Sequence, residues 1–565
     1  MAVGAIILGL AVAAPFYTAN KGEKTGEAEF LPPSTHDMAQ HLAVMGQFDM
    51  VLRSGALYPR WLPDFNRGYG SPWTNFYPTG FYYLTSAVNL LAGNWLLTLF
   101  LVSGLGLALS AMTFYMAARD LYGKWPAVAG ALLYMLLPYH LVDLYWRGAM
   151  PEFMAFVLVP PVFYFGSRLA SRARPQYVAA FALCYGALIV VHLPVSFLMA
   201  YALAFYAVVR AILYKDPRVL PRVAAGMVLG FSLSAIYLVP AVLESKDVYQ
   251  PWTAIFPYDA SYLKIFRPFD EFGEVVNLSF VGCFLVLAVG ILIVAVRHSP
   301  NGQAGSPQDE DWVADRFGRG PGREVLLILI MGAATLFMCL PASRHIARLM
   351  PKIDVASFAW RWLAIASFFV CLAFVAALAR LAPGLRLGRA TTWCLTAGLV
   401  VVVGVNLWWS GHSIMARALT HPPLAVPDNY IDSGFTPKES TKPYDLPGHA
   451  PEAELAPANG FIGVQEWLPS RRRLTVAATL PCDLRLRSYT FPGWTAEVDG
   501  KPAEIIGDKM GTQTIPLAPG NHTIEVDFDN TPPRSLGLAI SGIAVAIISA
   551  LLAIPRLRRG AARFT

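Results

Sequence analysis

Residues 77–92 of the chain, YPTGFYYLTSAVNLLA, decide how the rest of the sequence is threaded through a membrane. The segment begins with aromatic residues and is shorter than the roughly 20 apolar residues that a membrane-crossing helix needs. Tyrosine favours the boundary between lipid and water, because one end of its ring is apolar and the other is polar. We therefore predict a helix that lies in the interface and does not cross.

The composition of the whole chain is typical of an integral membrane protein. Of its 565 residues, 55% are hydrophobic and only 14% are charged, and the mean hydropathy is +0.47. Soluble domains carry about 25% charged residues. The net charge of +7 would suggest nucleic-acid binding in a soluble protein. In a membrane protein the collection of Lys and Arg in cytoplasmic loops accounts for most of this surplus, so we expect no nucleic-acid partner.

Apolar runs that could form membrane-spanning helices recur along the sequence. They lie at 2–17, 97–118, 125–145, 151–167, 176–192, 195–213, 220–243, 275–297, 324–342, 361–380, 390–410 and 535–555. The first run contains an Ala-Val-Ala sequence at 11–13 that resembles a signal-peptidase site, but no positively charged segment precedes it. We expect it to be retained as the first helix of a bundle of about 12 spans.

Basic residues lie in alternate loops between these runs, and the positive-inside rule assigns those loops to the cytoplasm. The loops contain Arg119 and Lys124; Arg168, Arg172 and Arg174; Lys215, Arg218 and Arg222; Arg297, Arg316, Arg319 and Arg323; Arg386 and Arg389; and Arg556, Arg558, Arg559 and Arg563. If 77–92 crossed the membrane, the side of every later loop would be reversed. The first loop, 18–96, is therefore predicted to lie on the outer face.

The sequence divides into regions of different composition. We predict a transmembrane domain over 1–411, a flexible cytoplasmic loop at 298–323, an outer β-rich domain over 412–534, and a last transmembrane helix with a basic tail over 535–565. Runs such as RRLTVAATL, LRLRSYTF and HTIEVDF alternate apolar and polar residues, as half-buried strands do. The sequences VDGK and APGNH between such runs are typical of tight turns. The predicted fold is a mainly α polytopic bundle with a small antiparallel β-sandwich.

Ionisable residues are costly near hydrocarbon, so the places where they occur are informative. In this chain they gather at the predicted outer ends of the helices. They are His36, Asp37, His41, His140, Asp143, Arg147, Glu152, His192, Glu244 and Arg361. A solute carrier is expected to keep such groups near the middle of the bilayer, on broken helices in repeated halves. The one-sided distribution favours a site at the outer surface.

Asp37 and His41 are four residues apart, so they share one face if this part of the loop is helical. A carboxylate beside an imidazole can take a proton from a hydroxyl group or hold a divalent cation. The structural alternative is that His36, Asp37 and His41 only cap and solvate a surface helix. The sequence leaves both alternatives open.

Arg147 and Glu152 lie on either side of a short Gly- and Pro-containing turn, YWRGAMPEF. They form either an ion pair that closes the turn or a site in which Arg147 binds a phosphate, since a guanidinium group matches phosphate oxygens in a planar fork. Arg361, between two tryptophans in SFAWRWLA, is either an interfacial anchor or a second phosphate ligand.

Four other polar residues have a structural alternative of their own. His192, in VVHLPVS, and Glu244, in LVPAVLES, either line the same site or are ordinary polar groups at helix ends. His140 and Asp143 are interpreted as packed supporting residues and not as catalysts.

Several of these segments together resemble known families. THD at 35–37, GALYPRWLPDFNRGYGSP and NFYPTGFYYLTSAVNLLAG resemble the start of C-type (GT-C) membrane glycosyltransferases. LPYHLVDLYWRGAMPEF, VVHLPVS, YLVPAVLES, SFAWRWL and the C-terminal FPGWTAEVDGKPAEIIGDKMGTQTIPLAPGNHTIEVDFDN are similar to YfhO-type proteins and to the membrane family described as 6-pyruvoyl-tetrahydropterin-synthase-related. The resemblance covers nearly the whole chain. Nothing in it is similar to a soluble pterin enzyme with a zinc-binding histidine trio.

The resemblance implies roles for the polar residues. Asp37 would be the catalytic acid of the first outer loop, with His36 or His41 beside it. The cavity would be lined by Arg147, Glu152, His192, Glu244 and Arg361. This chain has His-Asp where some GT-C members have two adjacent acids, so metal dependence is left open, with Asp37 and His41 as candidate ligands of a divalent metal ion.

The resemblance also implies a reaction. A sugar would move, with inversion, from a polyprenyl-phosphate-linked donor to a glycan, lipid or protein acceptor outside the bacterial inner membrane, in assembly of the cell envelope. Trp61, Tyr69 and Trp73 would either stack on sugar faces or anchor the loop at the interface. Two alternatives remain, namely a flippase or transporter of lipid-linked sugars and a non-catalytic scaffold for envelope assembly.

Overall fold

A computed structural model describes residues 2–14, 20–21, 28–29, 35–249, 258–264, 271–296, 321–381, 431, 435–438, 440, 445–448 and 450–561. The predicted span at 390–410 and most of the predicted cytoplasmic loop at 298–323 lie outside these residues.

Helices make up most of the described chain. They are α1 (Ala2–Ala13), α2 (Met38–Arg53), α3 (Phe65–Gly68), α4 (Trp73–Phe76), α5 (Gly80–Ala92), α6 (Trp95–Tyr122), α7 (Lys124–Leu136), α8 (Pro138–Val142), α9 (Met150–Ser171), α10 (Pro175–Val191), α11 (Leu193–Tyr214), α12 (Val219–Leu233), α13 (Ala235–Leu243), α14 (Glu271–Val296), α15 (Pro321–Phe337), α16 (Arg344–Arg348), α17 (Trp362–Leu381) and α18 (Pro532–Ala561). A π-helical turn, Asp143–Arg147, continues α8. Short 3-10 turns lie at Ser245–Asp247, Tyr258–Ala260, Pro341–Ser343, Ile353–Ala356 and Ala359–Arg361.

Within the described residues, seven helices are long and apolar enough to cross a membrane, and there are nine if each of two bent helix pairs is one span. The bent pairs are α12 with α13, at 75°, and α15 with the segment Pro341–Arg348, at 96°. Two further apolar helices, α1 and α10, are shorter. The mainly helical membrane fold is confirmed, whereas the count of 12 spans is not.

The helix starts follow from local sequence. Pro138 and Pro175 occupy the first turns of α8 and α10, where the missing N–H would have no partner inside the helix. Asn94 caps α6 by accepting hydrogen bonds from the backbone amides of Leu96 and Leu97 at 2.8 and 3.0 Å. Such caps satisfy amide groups that a helix leaves unpaired at its start.

The first helix packs closely against α6. A Cβ atom added at Gly9 would lie 2.4 Å from the carbonyl oxygen of Gly104, so the two backbones approach as nearly as glycine allows. Small residues at a helix crossing permit this packing within membranes. Helix α1 is thus part of the helical bundle.

The predicted interfacial segment corresponds to α5, which has 13 residues. At 1.5 Å per residue such a helix is about 20 Å long, less than the roughly 30 Å of a bilayer core. It packs against α2 of the same outer loop and against α6. The length of α5 therefore agrees with a segment that does not cross.

Two antiparallel sheets, which lie between α17 and α18 in the chain, pack face to face. The strands are β1 (Ala453–Ala456), β2 (Gly460–Leu468), β3 (Arg471–Ala478), β4 (Cys482–Tyr489), β5 (Trp494–Val498), β6 (Lys501–Ala503), β7 (Ile506–Gly507), β8 (Thr512–Leu517) and β9 (Gly520–Phe528). The strand orders are β1-β4-β8-β7 and β2-β3-β9-β5-β6. In register, Leu474 lies opposite Ile524 in one sheet and Leu484 opposite Ile515 in the other, and all four side chains are fully buried. The predicted β-sandwich is confirmed.

Aromatic residues of the first outer loop belong to the apolar core of this sandwich. Trp61, Tyr69 and Phe76 form one buried cluster with strand residues such as Leu474 and Ile524. The outer loop is therefore held between the membrane helices on one side and the β-sandwich on the other.

Candidate active site at one end of the helical bundle

Several predicted site residues lie at helix ends that meet on one side of the bundle. Asp37 immediately precedes α2, Arg147 ends the π-helical turn, and Glu152 lies in the first turn of α9. His192 joins α10 to α11, and Arg361 immediately precedes α17. The basic residues that mark the predicted cytoplasmic loops, such as Arg168 and Lys215, lie at the opposite ends of α9 and α11.

Glu152 is the centre of a buried hydrogen-bond network. Its Oε1 accepts a hydrogen bond from the Tyr139 hydroxyl at 2.6 Å. Its Oε2 accepts from Arg147 Nη1 at 2.7 Å and from Arg361 Nε at 2.9 Å. The Nε2 atom of His192 lies 3.9 Å from the same oxygen. The carboxylate thus joins α8, α9 and the start of α17 at one point.

Arg147 is held by two carboxylates. Its Nη1 atom lies 2.7 Å from Asp143 Oδ1 as well as 2.7 Å from Glu152 Oε2, and the residue is only 3% exposed. The π-helical turn places Asp143 and Arg147 on the same side, and such turns are frequent at functional sites. The sequence allowed either an ion pair between Arg147 and Glu152 or a phosphate site at Arg147. The structure contains the ion pair.

The segment that carries Asp37 rests on the turn after Arg147. The Asp37 amide donates a hydrogen bond to the Arg147 carbonyl oxygen at 2.8 Å. Gly148 has a φ of +62°, and a Cβ atom there would lie 2.2 Å from Thr35 Oγ1 and 2.9 Å from Met38 Cβ. Both the left-handed backbone and the close approach require glycine. Asp37 is thereby placed next to the arginine network.

His41 lies one helical turn after Asp37 and is 1% exposed. Its Nδ1 atom is 3.0 Å from the Tyr82 hydroxyl. Burial lowers the pKa of His41 to about 4, although the nearby Asp37 opposes this shift. The imidazole is therefore neutral at neutral pH.

Tyr77 is a site residue that the sequence analysis missed. Its ring is half-buried and lies 6.2 Å from the ring of His41, between centroids. The charges of Asp37, Arg361, Glu152 and Arg147 all act on the pKa of its hydroxyl. Only its position in an aromatic tract near the start of α5 marked it in the sequence, and that position was interpreted as interfacial.

The structure brings together six of the predicted residues, namely Asp37, His41, Arg147, Glu152, His192 and Arg361. His192 has a second role, because its Nδ1 accepts a hydrogen bond from the Val195 amide and caps α11. His36 is exposed, and its ring makes an edge contact with Phe272 at 5.2 Å. His140 is fully buried between the rings of Phe153 and Phe156, as expected of a packing residue.

The expected position of Glu244 requires correction. Its carboxylate accepts hydrogen bonds from Asn75 Nδ2 at 2.7 Å, from Arg534 Nε and Nη2 at 3.2 Å each, and from the Thr531 hydroxyl. None of these partners belongs to the network around Glu152. Because Arg534 and Thr531 follow the β-sandwich in the chain, Glu244 joins that domain to the outer loop and does not line the site.

The expected role of three outer-loop aromatics also requires correction. Trp61, Tyr69 and Trp73 are between 1% and 3% exposed, so none presents a face on which a sugar could stack. Trp61 packs against Phe491, Trp494 and Phe528 of the β-sandwich. Tyr69 packs against Tyr489, and Trp73 packs against Phe435 and Tyr77. They attach the loop to its neighbours instead of binding substrate.

The candidate metal ligands do not form a cluster that fits an ion. In the described part of the chain, no three His, Cys, Asp or Glu side chains converge to hold a metal. Asp37 and His41 are two candidates without a third, and one nitrogen of His41 is already bonded to Tyr82. The described residues therefore do not fit a metal centre held by the protein alone.

Chemically, the site combines a half-buried carboxylate with buried positive charge. Asp37 makes no side-chain hydrogen bond to a described residue, whereas Arg147 and Arg361 are fixed by Glu152. Such an arrangement can accept a proton at Asp37 while the arginines stabilise negative charge nearby.

Comparison with solved structures finds proteins of broadly similar shape. They include the arabinofuranosyltransferase AftD from Mycobacteria, at 16% identity and a TM-score of 0.45 over 73% of this chain and 27% of AftD. The oligosaccharyltransferase AglB from Archaeoglobus fulgidus gives 13% identity and 0.41 over 75% of this chain and 56% of AglB. ArnT from Cupriavidus metallidurans gives 14% and 0.31, over 67% of this chain and 78% of ArnT. All three TM-scores are below 0.5, so these likenesses carry no argument about function.

Comparison with protein families is more decisive. Curated protein sequences give no significant match. A family model described as "6-pyruvoyl-tetrahydropterin synthase related domain; membrane protein" matches residues 74–411. This range includes α6 to α17 and every residue of the Glu152 network. Since the match covers more than half of the chain, the protein belongs to the 6-pyruvoyl-tetrahydropterin-synthase-related family of membrane proteins.

Proposed function

We propose that this protein is a membrane glycosyltransferase of the bacterial inner membrane. It moves a sugar from a polyprenyl-phosphate-linked donor to a glycan, lipid or protein acceptor on the extracytoplasmic side, with inversion at the anomeric carbon. The reaction contributes to cell-envelope glycan or glycolipid assembly. The resemblance of the outer-loop sequence to GT-C enzymes supports this donor class.

The observation that supports the proposal most directly is the environment of the Asp37 carboxylate. Its carboxylate is half-buried, makes no hydrogen bond to a described side chain, and is positioned by its own backbone contact with Arg147. A carboxylate that only capped α2 would accept hydrogen bonds from the first amides of the helix, and Asp37 does not. An unengaged carboxylate beside fixed arginines is suited to proton abstraction.

The proposed step forms one bond to the anomeric carbon of the sugar and breaks another. The acceptor hydroxyl oxygen attacks the anomeric carbon of the sugar while its proton passes to Asp37. The bond between that carbon and the phosphate oxygen breaks, and its electron pair remains on the phosphate. Arg147 already faces two carboxylates, Asp143 and Glu152, and its side chain is more deeply buried than that of Arg361. The positive group assigned to the departing phosphate is therefore Arg361. Arg147 holds Glu152 and the turn that supports Asp37.

The test is transfer activity of purified protein in detergent. A panel of undecaprenyl-phosphate-linked sugars is supplied with a lipid-extract acceptor, and release of undecaprenyl phosphate is measured by mass spectrometry. Asp37→Asn is expected to lower the rate by about 10² to 10⁴, the usual contribution of a positioned acid or base. Asp64→Asn is the matched control, since Asp64 lies in the same loop and its side chain accepts a hydrogen bond from Gln47, away from the network around Glu152.

The outcome also separates the alternatives. Product formed in detergent, where there is no second compartment, excludes pure transport. Unchanged activity of Asp37→Asn would remove Asp37 from the mechanism. A scaffold would show no turnover of any donor and would keep its cellular role after loss of Asp37.

A further inference from the structure

The polar groups at the site fall into two sets, according to whether the protein itself already binds them. Glu152 accepts hydrogen bonds from Tyr139, Arg147 and Arg361. Arg147 is held by Asp143 as well, and His192 caps α11. These side chains are held by partners within the protein and are almost fully buried, so they form the frame of the site.

Other groups at the site lie on partly exposed side chains and make no hydrogen bond to a described residue. They include the Asp37 carboxylate, the Tyr77 hydroxyl and the Nη2 atom of Arg361, whose Nε and Nη1 atoms are bonded to Glu152 and to the Ala356 carbonyl. Asp37 and Tyr77 are half-buried, and the Arg361 side chain is 11% exposed. A polar group that is partly buried and unbonded is expected to meet water or a ligand.

Contacts with the preceding segment hold the Tyr77 ring in place. It packs on Trp73 with 5.4 Å between ring centroids, and the Tyr77 amide donates to the Trp73 carbonyl at 2.9 Å. Asn75 in the same segment is fully buried and bonded to Glu244 and Arg60. These contacts leave the hydroxyl as the free end of a rigid side chain. The ring lies 6.2 Å from that of His41, between centroids, and the charges of Asp37 and Arg361 both act on the pKa of the hydroxyl.

Burial raises the pKa of Tyr77 well above its ordinary value, and the negative charge of Asp37 acts in the same direction. The phenol therefore keeps its proton at any working pH, so it can donate a hydrogen bond but cannot act as a base. Its natural partner is an oxygen that carries negative charge, because hydrogen bonds to ionised groups are about twice as strong as neutral ones.

We propose that Tyr77 donates a hydrogen bond to the phosphate of the lipid-linked substrate, beside Arg361, and is a further catalytic residue. The inference rests on the proposed function. As the bond from the anomeric carbon to phosphate breaks, the electron pair stays on the phosphate and the acceptor proton goes to Asp37. Tyr77 keeps its own proton throughout, and its hydrogen bond strengthens as charge develops on the phosphate.

The experiment compares the binding of undecaprenyl phosphate with that of undecaprenol to the full-length protein in detergent. Tyr77→Phe removes one oxygen atom and no hydrogen bond to a described residue, so the variant should fold normally. The quantity measured is the ratio of the two affinities, in which the folded fraction cancels. Tyr83→Phe is the matched control, since Tyr83 lies in the first turn of α5, six residues after Tyr77, and its hydroxyl donates to the Leu57 carbonyl.

Wild-type protein and Tyr83→Phe are expected to prefer the phosphate, and Tyr77→Phe should lose about tenfold or more of that preference. Asp37→Asn should keep or increase the preference, because it removes a like charge. If Tyr77→Phe prefers the phosphate as strongly as wild type does, the role of Tyr77 is wrong while the proposed function stands. If wild type binds both lipids equally, the proposed donor class fails as well.

Discussion

The backbone amide of Asp37 donates a hydrogen bond to the carbonyl oxygen of Arg147, 2.8 Å away. This contact joins the start of α2, in the outer loop, to a turn between two membrane helices. The side chain proposed to carry the proton is thus positioned by the backbone of the residue that anchors the charged network. A change in that turn should move the Asp37 carboxylate even though it removes no charge.

Gly148→Ala tests this coupling. The added methyl group would overlap Thr35 and Met38, so the segment carrying Asp37 has to shift. We expect transfer activity to fall about 100-fold, because displacements near 1 Å have effects of that size in positioned sites. The measurement is undecaprenyl phosphate release by the purified variant.

Gly93→Ala is the control for Gly148→Ala. Gly93 ends α5 with a φ of +64°, nearly the same backbone conformation, but nothing lies within 4 Å of an added Cβ. Both variants carry the same backbone cost, about 1 kcal/mol. Equal activity of the two variants would show that the contact with Thr35 and Met38 does not position Asp37.

The Glu152 network should be important for stability. Glu152→Gln keeps the shape of the side chain but leaves Arg361 without its carboxylate, and removal of one partner from a buried ion pair costs about 3 to 5 kcal/mol. The apparent melting temperature in detergent should drop clearly. Asp120→Asn, which breaks the more exposed pair with Arg168, should cost at most about 1 kcal/mol. A similar drop for both variants would contradict the prediction.

The contact between Glu244 and Arg534 should couple the outer loop to the β-sandwich. Glu244→Gln and Arg534→Met each leave a buried charge without its counter-ion, whereas the double variant removes both charges. In a double-mutant cycle, the two single variants together should lose more unfolding free energy than the double variant does. We expect the difference to be about 1 to 3 kcal/mol. Strictly additive effects would mean that the pair does not act as a unit.

His41 should make the folded protein sensitive to acid. Its pKa is about 4 in the folded protein because burial disfavours the charged form, against an ordinary value of 6.5. As the pH falls from 6.5 to 4, the unfolded chain binds a proton that the folded chain does not, so stability decreases, by roughly 3 kcal/mol in full. His41→Gln should reduce this loss. Thermal unfolding at pH 7 and pH 5 measures the difference, and an unchanged pH response in the variant would refute it.

The grouping of the site residues could be predicted from sequence because of the way membrane helices alternate. Arg147, Glu152, His192 and Arg361 each adjoin the end of an apolar run, and the positive-inside rule places those ends on one side. The number of positions open to them is therefore small. Their exact partners were not predictable, since whether Arg147 binds phosphate or Glu152 depends on distances that periodicity does not give.

Contacts between distant segments account for the corrections. Trp61 and Tyr69 look like interfacial aromatics because the strands that bury them lie about 400 residues later in the chain. Glu244 was misplaced for the same reason, as its partner Arg534 is 290 residues away. The proposed role of Tyr77 depends on the charges of Asp37 and Arg361 near it, which no local pattern of aromatic residues reveals.

The shared core of outer loop and β-sandwich determines how the protein can be dissected. A fragment containing only 450–531 would leave Phe491, Trp494 and Phe528 without the indole of Trp61 that covers them, and exposed apolar patches of this kind cause aggregation. A soluble fragment for crystallography or antibody selection should therefore carry residues 57–77 on a linker, so that Trp61 still covers these side chains.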